Sequence, residues 1–109
     1  MEITTKKEKG QVVVLVQGRI DAVTAPAFEK NLAELVAQGE TRFVLNFHGL
    51  EYISSAGLRS ILATAKQLKT REGRMVFAGL QGSARDVFKI SGFGSIFQIF
   101  DTEAEALQA

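Results

Sequence analysis

The fold is decided by one stretch of the chain, Tyr52-Ile53-Ser54-Ser55-Ala56-Gly57-Leu58. From Leu58 onward, apolar residues recur at spacings of three and four as far as Leu68, which predicts an amphipathic helix with one buried face. Serine is favoured just before a helix because its side chain accepts a hydrogen bond from a first-turn amide. We therefore predict that this helix begins at Ser54 and Ser55.

On both sides of this helix, segments suited to strands alternate with segments of helical periodicity. The predicted strands are rich in β-branched or other apolar residues, and they cover Glu2–Lys6, Gln11–Gln17, Arg42–Phe47, Arg74–Ala78 and Ile96–Phe100. The other predicted helices cover Thr24–Gln38, Ser83–Ile90 and Glu103–Leu107. The alternation implies parallel crossovers after an antiparallel first hairpin. We therefore predict an α/β fold, a single domain over residues 1–109 with a mixed sheet of four or five strands and helices packed mainly on one side.

The composition is that of an ordinary globular domain and disfavours several classes of function. The chain has 109 residues, of which 46% are hydrophobic, and its 13 Lys and Arg nearly balance its 12 Asp and Glu. The basic residues are scattered, which argues against nucleic-acid binding. There is no cysteine and no long apolar run at the N-terminus. We therefore expect a cytoplasmic protein without disulfides and without direct membrane insertion.

No cluster of residues indicates catalysis, a metal or a cofactor. His48 is the only histidine, and since it has no cysteine nearby we interpret it as a surface loop residue beside Gly49. Gly92-Phe93-Gly94 lacks the spacing of a dinucleotide fingerprint, and no Walker A pattern occurs. With no nucleophile and base in view, we predict that the protein is not an enzyme and binds no metal or cofactor of its own.

Asp21 differs from the other carboxylates because it lies between a predicted strand and a predicted helix. A carboxylate in that place can cap the following turn, or it can point into a groove as part of a site. The spacing alone favours capping, and the second interpretation stays open.

Ser54 and Ser55 also allow two interpretations. The structural one is helix capping, which predicts no function. The functional one is phosphorylation, because first-turn amides and the positive end of the helix dipole favour an anion there. A phosphate adds a charge of roughly −1.5 to −2, which would disrupt an interface packed on the same turn.

Four segments resemble successive signatures of the STAS domain family. They are Gly18-Arg19-Ile20-Asp21 with Thr24-Ala25, Val44-Leu45-Asn46, Tyr52 to Leu58, and Val87-Phe88-Lys89-Ile90-Ser91-Gly92-Phe93. The serine-rich block before Gly57-Leu58 is the most specific of them. The resemblance covers nearly the whole chain and implies a STAS-like domain.

In the anti-sigma-factor antagonists of this family, Asp-Ser-Ser or Asp-Ser-Thr precedes Gly-Leu, and the serine after the aspartate is the phosphoacceptor. By position, the resemblance implies phosphorylation of Ser55. Ser54 stands where the pattern has aspartate and Ala56 where it has a second serine or threonine, so phosphorylation could be slower here or fall on Ser54 instead. Asp21 matches the aspartate of the family's Gly-x-Leu/Ile-Asp turn, beside the phosphoserine turn. The implied partner-binding residues are Asp21, Thr24, Ser54, Ser55, Ala56, Gly57 and Leu58.

The resemblance further implies a partner-switching cycle. The unphosphorylated antagonist binds an anti-sigma-factor serine kinase, which holds the ATP, and phosphorylation releases the antagonist until a serine phosphatase restores it. An alternative within the family is a non-switching interaction subunit of a lipid or anion transport system, in which the serines only cap a helix.

Overall fold

Six strands and five helices make up the computed structural model, which describes residues 1–109. The strands are β1 (Glu2–Glu8), β2 (Gln11–Ile20), β3 (Arg42–Asn46), β4 (Leu50–Ile53), β5 (Arg74–Ala78) and β6 (Ile99–Phe100). The helices are α1 (Ala25–Ala37), α2 (Ser55–Lys69), α3 (Gly82–Ile90), α4 (Phe93–Ile96) and α5 (Glu103–Gln108). The predicted element order is confirmed, with β4 and α4 as additions.

The strands form one mixed sheet in the order β1-β2-β3-β5-β6. β1 and β2 pair as an antiparallel hairpin, whereas β3, β5 and β6 join in parallel because helices provide the crossovers between them. β4 lies off this path and pairs in parallel with the last residues of β2. The predicted mixed α/β sheet is therefore confirmed.

The strand count and one strand boundary differ from the prediction. The sheet has six strands instead of four or five, because β4 is only four residues long and its local pattern gives too little periodicity to mark a strand. The predicted strand Ile96–Phe100 is shorter in the structure, where only Ile99 and Phe100 pair with β5. The residues before it form α4, which begins after Gly92 in the left-handed conformation, with φ at 82°.

The two faces of the sheet bury unequal cores. On one face, Val14, Leu45 and Phe77 belong to a cluster of 21 buried residues that includes the inner sides of α1, α2 and α3. On the other face, a cluster of six buried residues joins the sheet to α5 through Ala106 and Leu107. Because the long helices share one face and only the short α5 covers the other, the predicted one-sided packing is confirmed.

The carboxyl ends of β2 and β4 lie side by side. Ile20, the last residue of β2, pairs with Ile53, the last residue of β4. The backbone amide of Ser54 extends this contact by donating to the carbonyl oxygen of Ile20 at 2.8 Å. The turns that lead into α1 and α2 therefore leave the sheet at the same edge.

Candidate functional site

The predicted site residues meet at the edge where β2 and β4 end. Residues 21–24 follow β2 and lead into α1, and residues 54–58 follow β4 and begin α2. We call these two segments together the two-turn face. The structure thus brings the Asp21 turn and the serine turn together, although 29 residues separate them in the chain.

Asp21 organises the first turn through its side chain. Its Oδ1 accepts hydrogen bonds from the backbone amides of Val23 and Thr24, both at 3.0 Å. The amide of Asp21 donates to Thr24 Oγ1 at 2.9 Å, and this hydroxyl also lies 2.9 Å from the carbonyl oxygen of Arg19. Asp21 therefore caps the turn before α1, while its second oxygen accepts no hydrogen bond from the protein.

The same contacts keep the carboxyl of Asp21 ionised. Its pKa lies below the ordinary value, mainly because the backbone amide of Thr24 donates to it. Desolvation acts in the opposite direction, but it is outweighed by the Thr24 amide together with the amide of Val23, the hydroxyl of Thr24 and the charge of Arg19. At neutral pH, the first turn therefore presents a negative charge.

Ser54 and Ser55 have different environments although they are adjacent. Ser54 is the N-cap of α2, half-buried, and its Oγ accepts a hydrogen bond from the amide of Gly57 at 3.4 Å. Ser55 is the first residue of α2, is exposed, and forms no side-chain hydrogen bond. The first turn of α2 contains no acidic residue, so no carboxylate there offsets the positive end of the helix dipole. Ser54 is therefore the structural serine and Ser55 the accessible one.

Gly57 allows α2 to approach the strand ends closely. A Cβ atom on Gly57 would lie 2.7 Å from Ile20 Cγ2 and 2.7 Å from Ile53 Cγ1. Both isoleucines are fully buried, so the missing side chain sets the distance between α2 and the sheet. Ala56 and Leu58 are half-buried and pack against the core. Within residues 54–58, only Ser55 is exposed.

Three further residues lie on or beside this face and are missing from the sequence-based prediction. The guanidinium carbon of Arg19 lies 4.3 Å from the ring centroid of Tyr52, and the side chain of Val23 is 86% exposed in the Asp21 turn. Arg19 and Tyr52 are register partners between β2 and β4. Their contact could have been predicted only from the pairing of β2 with β4, and the sequence-based prediction does not include β4.

A groove of about 470 Å³ opens between α1 and α2 beside the two-turn face. Small side chains line it, among them Ala22, Ala25 and Ala56, and its charged residues include Glu29 and Arg59. This lining combines apolar surface with charges of both signs.

The remaining chemistry-bearing residues lie elsewhere. His48 is exposed between β3 and β4, where its backbone amide donates a hydrogen bond to Asn46 Oδ1 and its carbonyl oxygen accepts one from Gln81 Nε2. It therefore lies in a surface loop, as predicted. No three His, Asp or Glu side chains converge in a way that could hold a metal ion.

None of the helices combines the length and the apolar character needed to span a bilayer.

Comparison with known proteins gives consistent matches along the whole chain. The model of the STAS domain family matches residues 2–106. BtrV of Bordetella bronchiseptica, a predicted anti-sigma factor antagonist, is 41% identical over 109 residues, which cover 100% of this chain and 94% of BtrV. RsfB of Mycobacterium tuberculosis, an anti-sigma-F factor antagonist, is 31% identical over 108 residues, which cover 96% of this chain and 85% of RsfB. The crystal structure of an anti-sigma factor antagonist from Mycobacterium paratuberculosis has a TM-score of 0.89 and 28% identity, covering 98% of this chain and 91% of that one.

Proposed function

Since the chain belongs to the STAS domain family, we propose that it is an anti-sigma factor antagonist that exchanges partners through phosphorylation of Ser55. In its unphosphorylated form it binds an anti-sigma-factor serine kinase through the two-turn face. The kinase supplies the ATP, so this chain is the substrate and needs no cofactor or catalytic residue of its own. A serine phosphatase restores the unphosphorylated form, and the cycle takes place in the cytoplasm.

The accessibility of Ser55 is the observation that carries this proposal. Its hydroxyl is exposed and free of hydrogen bonds, whereas the hydroxyl of Ser54 is half-buried and caps α2. A kinase can therefore reach Ser55 without opening the helix. The first amides of a helix have no intrahelical acceptor and carry partial positive charge. A phosphate on Ser55 is consequently accommodated by the helix start.

The phosphate changes the surface that the kinase must contact. It brings a charge of roughly −1.5 to −2 to a face that already carries the ionised Asp21. A partner that packs on this face must then desolvate the phosphate, which is costly unless an arginine cluster receives it. Phosphorylation therefore releases the kinase while the domain stays folded.

Ser54 replaces the aspartate of the family pattern without losing its structural role. Serine and aspartate are both good N-caps, and Ser54 accepts the cap hydrogen bond from Gly57. What the replacement removes is a negative charge next to the acceptor serine. We therefore assign the capping function to Ser54 and keep Ser55 as the phosphoacceptor.

Mass spectrometry tests this assignment after incubation with ATP and an anti-sigma-factor kinase from the same organism. We expect one phosphate on Ser55 of the wild-type chain and none on Ser55→Ala, which should still bind the kinase. Ser55→Asp should bind more weakly. Ser54→Ala is the matched control, because it removes the neighbouring hydroxyl and leaves the acceptor in place, so it should still be phosphorylated.

Two results would contradict the assignment. Phosphate on Ser54 would transfer the acceptor role to the cap residue. A chain left unmodified by a kinase that phosphorylates another antagonist in the same assay would favour the non-switching subunit of a lipid or anion transport system. Unfolding of the phosphorylated chain, followed by circular dichroism, would contradict the claim that release occurs without loss of fold.

A further inference from the structure

Arg19 occupies the variable position of the Gly-x-Ile-Asp turn and is placed on an aromatic ring. In the pairing of β2 with β4, Arg19 lies opposite Tyr52, and its guanidinium carbon is 4.3 Å from the centre of the tyrosine ring. Such a distance is typical of a cation–π contact, in which the cation lies over the face of the ring. The tyrosine therefore restricts the directions in which the guanidinium can point.

The backbone around Arg19 is restrained by a hydrogen bond and by the burial of the next residue. Its carbonyl oxygen lies 2.9 Å from Thr24 Oγ1, the hydroxyl that locks the Asp21 turn. The next residue, Ile20, is fully buried and lies beneath Gly57. Arg19 is thus fixed directly beside both segments of the two-turn face.

The guanidinium is nevertheless left without a polar partner in this chain. Arg19 is exposed, its side chain donates no hydrogen bond, and none of the three ion pairs of the protein includes it. Its charge acts on the nearby carboxyl of Asp21 without direct contact, by lowering the pKa of that group. Arginine carries five N–H donors in a planar fork that matches a carboxylate in a bidentate contact. Because the carbon of the guanidinium lies over the ring and the group forms no hydrogen bond with the protein, its N–H donors remain available to a ligand.

We propose that Arg19, positioned by Tyr52, is a specificity-determining contact of this antagonist and binds an aspartate or glutamate side chain on the kinase surface. This inference rests on the proposed function, because it extends the kinase-binding face beyond the two turns. The partner chemistry follows from the charge and geometry of the group: a positioned, unpaired guanidinium selects a carboxylate. A kinase with a basic residue at the corresponding place is rejected by like-charge repulsion.

Binding measurements with a set of substitutions test this contact. The probe is an anti-sigma-factor kinase from the same organism that has first been shown to bind and phosphorylate the wild-type chain. Titration calorimetry at low salt should show that Arg19→Ala binds about tenfold more weakly, the loss expected for an interface arginine. Arg19→Lys should recover only part of the affinity, because a lysine keeps the charge but lacks the planar fork.

Variants of Tyr52 separate the positioning role from the charge. Tyr52→Phe keeps the aromatic face and should bind within about twofold of wild type. Tyr52→Leu removes the ring and should weaken binding by about two- to fivefold, and it should have little further effect when combined with Arg19→Ala. Arg42→Ala is the matched control, since Arg42 is an exposed strand arginine at the start of β3, away from the edge where β2 and β4 end.

The outcomes distinguish this inference from the proposed function. A wild-type chain that is neither bound nor phosphorylated by such kinases would refute the proposed function itself. A wild-type chain that binds while Arg19→Ala binds equally well, with circular dichroism unchanged in both, would overturn the role of Arg19 alone. An affinity of Tyr52→Leu equal to that of wild type would overturn the positioning role of the ring.

Discussion

Replacing Gly57 by alanine is a direct test of how α2 is seated on the sheet. The new Cβ would lie 2.7 Å from Ile20 Cγ2 and 2.7 Å from Ile53 Cγ1, with Ile53 Cδ1 at 3.2 Å. Carbon atoms pack best at about 3.5–4.0 Å, so the start of α2 or the strand ends must move by roughly 1 Å. Neither isoleucine can turn into solvent, because both are fully buried.

Two opposing effects determine how much the substitution lowers the free energy of unfolding. Inserting a methyl group into a packed core costs about 1–3 kcal/mol, whereas alanine is favoured over glycine within a helix by up to about 1 kcal/mol. We therefore expect Gly57→Ala to lower the free energy of unfolding by about 1–2 kcal/mol. Urea denaturation followed by circular dichroism measures this change through the transition midpoint, provided that the slope of the transition is unaltered.

The control is another helical glycine with free space around it. A Cβ on Gly94 in α4 would have only Ile99 Cδ1 nearby, at 3.9 Å, which is an ordinary contact. Gly94→Ala should therefore leave the free energy of unfolding within about 0.5 kcal/mol of wild type or raise it. Equal stability of Gly57→Ala and wild type would refute the argument that the close approach of α2 requires glycine.

Two further predictions concern the caps of the two-turn face. Ser54→Ala removes a cap hydrogen bond that is long, at 3.4 Å, so chemical denaturation should show a loss of stability near the lower end of the usual range, about 0.5–1 kcal/mol. Ser54→Asp should recover this stability. Equal stability of wild type and both variants would exclude a capping role for Ser54. The pKa of Asp21 is lowered in the folded protein, so its contribution to stability is complete above its unfolded pKa of about 4 and is lost as the pH falls through the lower folded value. The stability difference between wild type and Asp21→Asn should accordingly shrink in acid, and a difference that stays constant from neutral pH to below that range would contradict the lowered pKa.

The elements that the sequence predicts well are those whose stability is local or periodic. The helical spacing from Leu58 to Leu68 and the β-branched run in β2 correspond closely to the observed helix and strand. β4 lacks such a pattern. It exists because its residues pair with the last part of β2, and that contact depends on the path of the chain around the turn at His48.

In the candidate site, too, local features could be predicted from the sequence, whereas contacts that depend on the fold could not. The amino-acid types predict that Asp21 can cap and that a serine begins α2, and the structure confirms both. Which serine serves as the cap and which remains exposed depends on where the helix begins, because a shift of the helix start by one residue would exchange the two roles. The contact between Arg19 and Tyr52 depends on β4, so it is visible only in three dimensions.

A phosphorylation switch requires that the modified residue and the residues that hold the fold be different ones. In this domain the cap of α2 belongs to Ser54, and Oδ1 of Asp21 is engaged by the turn before α1. The exposed groups beside them are the hydroxyl of Ser55 and the guanidinium of Arg19, neither of which forms a hydrogen bond within the chain. A charge added at Ser55 therefore acts on whatever packs against the two-turn face and leaves the caps intact. On the proposed function, the arrangement separates phosphorylation from the stability of the domain, because the hydroxyl of Ser55 holds neither of the two turns in place.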